Sequence, residues 1–248
     1  DTLRDIGYAF VEGGDFQEVI DNLEDESVKR SFYSFIFLES DSDPYKVIAD
    51  CEKKLREKYV RRRMREFEEI GRGGNRALFK ELAFCLLTAN YSAEGGMRIQ
   101  REVDDGFITL SLHELAEKLR ELGHRFPRAR ARYIVEARRF LPNLREVVFG
   151  LRDERAVRDW LVRNIKGLGY KEASHFLRNI GFKNVAIIDY HIIDLLVRYG
   201  LIERPKSMSK RKYLEIEAVL EKLARATGLT LGELDLYLWY METGKVLK

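Results

Sequence analysis

Asn164-Ile165-Lys166-Gly167-Leu168-Gly169-Tyr170-Lys171-Glu172-Ala173-Ser174 is the stretch on which the fold turns. A helix expected over 153–165 ends here and another, expected over 170–180, begins. Between them two glycines reverse the chain within three residues. Glycine tolerates positive φ, so the turn can be tight and its backbone can approach another molecule closely. The N–H groups opening the second helix lack intrahelical partners and suit a phosphate. The pattern predicts a helix-hairpin-helix over about residues 160–182, which would hold a DNA backbone without reading sequence. Two glycines between helices also serve as a plain turn, so neighbouring residues must decide.

Lys171 falls in the first turn of the second helix. The positive end of the helix dipole disfavours an ammonium there, and burial acts the same way. An uncharged amine attacks an electrophilic carbon and forms a Schiff base. A solvent-facing lysine or a phosphate contact is the plainer alternative. Asp189 weighs against it. That residue ends the apolar run Val185-Ala186-Ile187-Ile188 and precedes a helix starting near Tyr190. It is a natural N-cap, and the apolar run draws it toward a partly buried site. A carboxylate facing a cleft stabilises the positive charge that grows on a sugar as its base departs. His191, two residues on, supports this loop, touches a phosphate, or fills a core or capping place.

Outward from the hairpin the pattern stays helical, with four prolines in 248 residues and little β-branched alternation. The fold class expected is all-α, with two lobes and the active site in the cleft between them. Residues 1–39 read as two or three helices, and Pro44 opens a long charged helix over 44–70. Gly71-Arg72-Gly73-Gly74-Asn75 reads as a loop. Residues 1–75 are therefore taken as an N-terminal helical extension without an assigned role, and 76–248 as the core. In that core, helices are expected at 76–90, 92–104, 111–123 (capped near Ser111), 128–140 (opened by Pro127) and 143–150. Further helices are expected at 190–199, 209–227 and 230–242.

Composition narrows the class. Apolar residues make up 45% of the chain, and no run of them reaches the length of a membrane span. Charged residues reach 34% while the net charge is only +3, which means mixed signs on solvated helix faces. Two cysteines, Cys51 and Cys85, cannot hold a four-thiolate cluster and point to reduced thiols and an intracellular protein. High charge with Gln only at positions 17 and 100 suggests a thermophilic archaeon or bacterium as source.

The run GLGYKEASHFLRNIG (167–181) followed by AIIDYH (186–191) resembles the helix-hairpin-helix DNA glycosylases of the endonuclease III superfamily. Within it, the chain resembles the archaeal-type 8-oxoguanine DNA glycosylases. The likeness extends through Glu81–Asn90, Arg125-Phe126, Tyr133–Arg138, Leu234–Tyr240 and Thr243–Lys248, and so covers about residues 76–248. It implies that Lys171 is the nucleophile and Asp189 its assisting carboxylate. It implies double-stranded DNA containing 8-oxoguanine as partner, with the damaged nucleotide flipped into a pocket between lobes. Lys171 would attack the sugar C1′, and the imine formed would permit β-elimination and strand cleavage. No metal and no cofactor is expected, and the protein is expected to act as a monomer.

The resemblance matches Phe126 and Trp239 to base-stacking positions; core packing is the alternative for both. It makes the end of Lys248 a candidate for separating 8-oxoguanine from guanine. His175, one turn after Lys171, faces the same side and is a pocket candidate. Asn90 fills the gap in the duplex or, more plainly, caps a helix end. Arg125, Arg128, Arg130, Arg132, Arg138 and Arg139, with Lys206, Lys210, Arg211 and Lys212, are expected to neutralise phosphates. Two other readings stand beside this one. The first is another member of the superfamily, either the distinct archaeal 8-oxoguanine glycosylases or a pyrimidine-damage enzyme; the absent cysteine cluster argues against its iron–sulfur members. The second is a non-catalytic DNA-binding hairpin module, against which the Lys171/Asp189 pair argues.

Overall fold

The computed structural model describes residues 59–151, 153–243 and 246–248. The helices expected within 1–39, the first part of the one expected from Pro44, and Cys51 lie outside these residues. The described residues form helices and no strand. Helix α1 (Arg61–Arg72) is followed by α2 (Asn75–Thr88), α3 (Ala93–Val103), the single turn α4 (Gly106–Thr109), α5 (Leu112–Glu121) and α6 (Pro127–Ala137). A 3-10 segment (Arg138–Asn143) then leads to α7 (Leu144–Gly150), α8 (Glu154–Asn164) and α9 (Tyr170–Asn179). The last helices are α10 (Tyr190–Arg198), α11 (Lys210–Thr227) and α12 (Leu231–Thr243). The helix expected over 128–140 stops at Ala137, because Pro142 cannot donate to the ladder and the chain tightens into 3-10 turns instead.

Local chemistry sets the ends. Ser92 and Ser209 accept N–H bonds from Gly95 and Lys212, and Ser111 with Glu114 forms a complete capping box. Helix α2 has no polar stripe: Leu78, Phe79, Leu82, Phe84, Leu86 and Leu87 are all fully buried. Each such side chain contributes about 1.5–3 kcal/mol by leaving water. These residues centre one apolar core, which runs from Leu78 to Val185. A second core collects Ile192, Leu195, Tyr213, Leu220, Leu234 and Tyr237 from α10, α11 and α12. Two cores make the two-lobed architecture.

Helix α1 packs against the rest of the described residues. Val60, Met64 and Phe67 are buried in the second core, so the packed body already includes residue 60. Gly71 of this helix lies directly on the end of α9: a Cβ there would stand 2.0 Å from the Ile180 carbonyl oxygen. Arg145 Nη1 donates to the carbonyls of Gly71 (2.5 Å) and Gly73 (2.9 Å). The glycine-rich stretch is a tied-down corner between helices within one body.

Candidate functional site

The hairpin forms as its glycines require. Gly167 has φ +86°, and a Cβ on it would meet the Tyr133 ring at 2.3 Å. Gly169 opens α9 in extended conformation, and its N–H donates to Glu172 Oε2 at 3.2 Å. Two residues on, the Lys171 side chain is 25% exposed, and its Nζ lies 3.9 Å from Glu172 Oε1. Asp189 is the N-cap of α10, with Oδ1 accepting the Ile192 N–H at 3.0 Å. Capping uses one side of the carboxylate and leaves the group at the cleft. Lys171 and Asp189 both line a cavity of about 750 Å³. Its walls come from both lobes: Thr88 to Glu94 follow α2, while Ile187 to His191, Asp235 and Trp239 belong to the other side.

Charged residues that the sequence reading left unassigned sit around this cavity. Arg178 Nη1 pairs with Asp235 Oδ2 at 3.1 Å, and both line the cavity. Burial pushes the Asp235 carboxyl up to about 6; Asp189 adds to the rise, and Arg178 opposes it. Lys248 Nζ reaches Glu81 Oε2 of α2 at 2.6 Å and lies 4.6 Å over the Phe84 ring. Asn179 Nδ2 donates to the other Glu81 oxygen at 2.6 Å. The last residue described is thus held from the opposite lobe.

Other expected residues divide clearly. His175 lines the cavity with a buried ring. Burial and the neighbouring cations Arg178, Lys171 and Lys248 hold its imidazole well below the usual histidine range, so it is neutral. Trp239 also lines the cavity, its Nε1 buried and unbonded, with the His191 ring edge-on at 4.9 Å. His191 therefore supports the tryptophan as well as facing the cleft. Asn90 is exposed at the cavity with φ +58°, the left-handed turn that asparagine tolerates after a helix. Phe126 is neither core nor cavity wall: it is 40% exposed before α6, under the Arg125 guanidinium at 5.1 Å. Its backbone N–H donates to His124 Nδ1, and the His124 ring stacks on Tyr91, which does line the cavity.

The expected basic residues divide between buried and exposed places. Arg130 is buried and donates to the Ala89 carbonyl at 2.5 Å; Arg138 bonds the Phe107 carbonyl and Arg139 that of Asn164. Lys210 pairs with Asp159, and Arg211 and Lys212 with Glu215. These side chains serve helix ends and ion pairs, because an arginine beside an unpaired helix-end carbonyl gains a charged hydrogen bond there. Of the whole set, Arg125, Arg128, Arg132, Arg139, Lys206, Lys210 and Arg211 are exposed.

A family model described as 8-oxoguanine DNA glycosylase matches residues 60–229. The chain is 65% identical over 190 residues to a Korarchaeum cryptofilum protein named 8-oxoguanine DNA glycosylase/AP lyase, covering 76% of this chain and 90% of the relative. It is 55% identical over 190 residues to a protein of the same name from Methanocaldococcus jannaschii, covering 76% and 91%. A crystal structure of 8-oxoguanine glycosylase/lyase from the latter organism, in complex with a 15mer DNA containing 8-oxoguanine, superposes with a TM-score of 0.80. That match has 52% identity and covers 82% of this chain and 99% of that one.

Proposed function

The chain belongs to the 8-oxoguanine DNA glycosylase family, and on that premise we propose that Lys171 is its nucleophile and Asp189 the carboxylate beside it. The protein is a bifunctional enzyme, an 8-oxoguanine DNA glycosylase and AP lyase, and its partner is DNA carrying 8-oxoguanine. The Lys171 amine attacks the deoxyribose C1′, and the C1′–N bond breaks with its electron pair leaving on the base. The Asp189 carboxylate offsets the positive charge on the sugar in that step. Nζ then loses a proton and its lone pair expels O4′, which takes up a proton as the sugar ring opens; the protonated imine left at C1′ acidifies C2′–H. Removal of that proton expels the 3′ phosphate and nicks the strand.

The observation that carries this reading is the shared cavity. One lysine from the hairpin helix and one N-capping aspartate line the same cleft between two separately packed lobes. Trp239 lines that cavity with a buried Nε1 that has no partner, and such an atom calls for a ligand; His175 lines the same cavity. They are assigned to the flipped base together with Lys248, and Asn90 to the vacated duplex. Phe126 joins the base only if its side chain swings inward when DNA arrives. Gly167 and Gly169 bring backbone N–H groups to a phosphate, with His191 at the neighbouring loop. The enzyme acts as a monomer, within the cell where its substrate lies; no described helix is long and apolar enough to cross a membrane.

Borohydride trapping on an 8-oxoguanine duplex tests the assignment. Wild type gives a covalent protein–DNA adduct, and Lys171→Gln gives none while still binding the duplex. An adduct that survives Lys171→Gln means another amine is the nucleophile.

A further inference from the structure

Lys171 and Asp189 sit on segments with no regular backbone ladder between them. Residues 185–189 are buried or nearly so and belong to no helix, so their N–H and C=O groups need partners from elsewhere. Helix α11 supplies three of them. Glu217 Oε1 accepts the Ala186 N–H at 2.9 Å. The Tyr213 hydroxyl donates to the Ala186 carbonyl at 2.6 Å and accepts the Ile188 N–H at 3.3 Å. Three of the polar groups leading to Asp189 are therefore fixed by two side chains one helical turn apart.

Tyr213 also reaches the helix of the lysine directly, and Glu217 reaches it through Arg158. Ser174 is fully buried, one turn after Lys171 on α9, and its hydroxyl lies 3.3 Å from the Tyr213 oxygen. Arg158 of α8 completes the junction. Its Nη1 and Nη2 meet both Glu217 oxygens at 2.5 and 2.8 Å, and Nη1 also donates to Ser174 Oγ at 3.2 Å. Arg158 and Glu217 are each 1% exposed. Arg158 and Ser174 come from the hairpin side, Tyr213 and Glu217 from the other lobe. Neither Tyr213 nor Glu217 lines the cavity.

We propose that Tyr213 and Glu217 are positioning residues for the chemistry: through Ser174 and the 186–188 backbone they set where Asp189 stands relative to Lys171. The proposal rests on the assignment of those two residues as the reacting pair. Near-attack geometry is sensitive, and a misplacement of about 1 Å costs on the order of a hundredfold in rate. Removing the Tyr213 hydroxyl frees the Ile188 N–H and the Ala186 carbonyl and cuts the link to Ser174, without touching the cavity wall.

The test is single-turnover excision and borohydride trapping on an 8-oxoguanine duplex with Tyr213→Phe, beside wild type and Lys171→Gln. Tyr213→Phe should slow excision about ten- to a hundredfold, with duplex affinity within about twofold of wild type. Ser174→Ala, which removes one oxygen and keeps the helix, should slow excision in the same direction and serves if Tyr213→Phe fails to fold. An excision rate within about twofold of wild type in whichever of these variants folds overturns the proposal. So does a rate loss matched by an equal loss of DNA affinity, since that marks general loosening. If Lys171→Gln still traps, the reacting pair itself is wrong, a result separate from either of these.

Discussion

Replacing Gly167 with alanine should damage the hairpin in two separable ways. At φ +86° a side chain costs about 1–2 kcal/mol through contact with its own backbone. The new Cβ would also stand 2.3 Å from Tyr133 Cδ2, 2.8 Å from Cε2 and 2.9 Å from Cγ. The guanidinium groups of Arg130 and Arg132 lie 5.9 and 5.5 Å from the centre of that ring, so a shift of it disturbs their contacts. Overpacking of this kind adds about 1–3 kcal/mol, so the total is about 2–5 kcal/mol. Urea unfolding measures it, and fluorescence anisotropy on an undamaged duplex at fixed salt should show weaker binding. In a Tyr133→Ala background the ring is gone, and Gly167→Ala should cost only the backbone share, about 1–2 kcal/mol. A total below about 0.5 kcal/mol, or the same loss in both backgrounds, would refute the reasoning.

Asp189→Asn should keep stability, because asparagine caps a helix about as well as aspartate, yet reduce turnover by about a hundredfold or more; kinetics beside a melting curve checks both. Asp189→Ala should add a loss of about 1 kcal/mol from the missing cap. The raised Asp235 carboxyl, at about 6, makes stability depend on pH. Between about pH 4 and 6 the folded protein holds a proton that the unfolded chain has released, so this stabilisation is full below about pH 4 and lost as pH rises through 6. It amounts to at most about 3 kcal/mol. Asp235→Asn should flatten that part of the stability curve, and an unchanged slope in urea titrations would show that Asp235 does not titrate there.

The hairpin was legible because its information is local: two glycines, a helix end and a helix start lie within eleven residues. Ser111 and Asp189 were legible as caps for the same reason. Glu81, Arg178 and Asp235 were not, since their partners lie 167, 57 and 57 residues away in the chain. A signal existed nonetheless. The residues three and four positions either side of Glu81 (Ala77, Leu78, Phe84, Cys85) and of Asp235 (Leu231, Gly232, Leu238, Trp239) are apolar or glycine, and a charge on such a face must be buried with a partner. A glycine cluster reads as a linker in the sequence, whereas Gly71 is where α1 closely approaches the end of α9. Arg130 looked like surface charge because its stretch is so basic; only the open end of α2 at Ala89 explains its burial.

The dry contact of Arg158 with Glu217 has a thermal consequence. Water hydrates ions less favourably as temperature climbs, so the penalty for keeping this pair out of solvent shrinks on heating. An ion pair joining α8 to α11 thus costs less to keep dry as the solution warms.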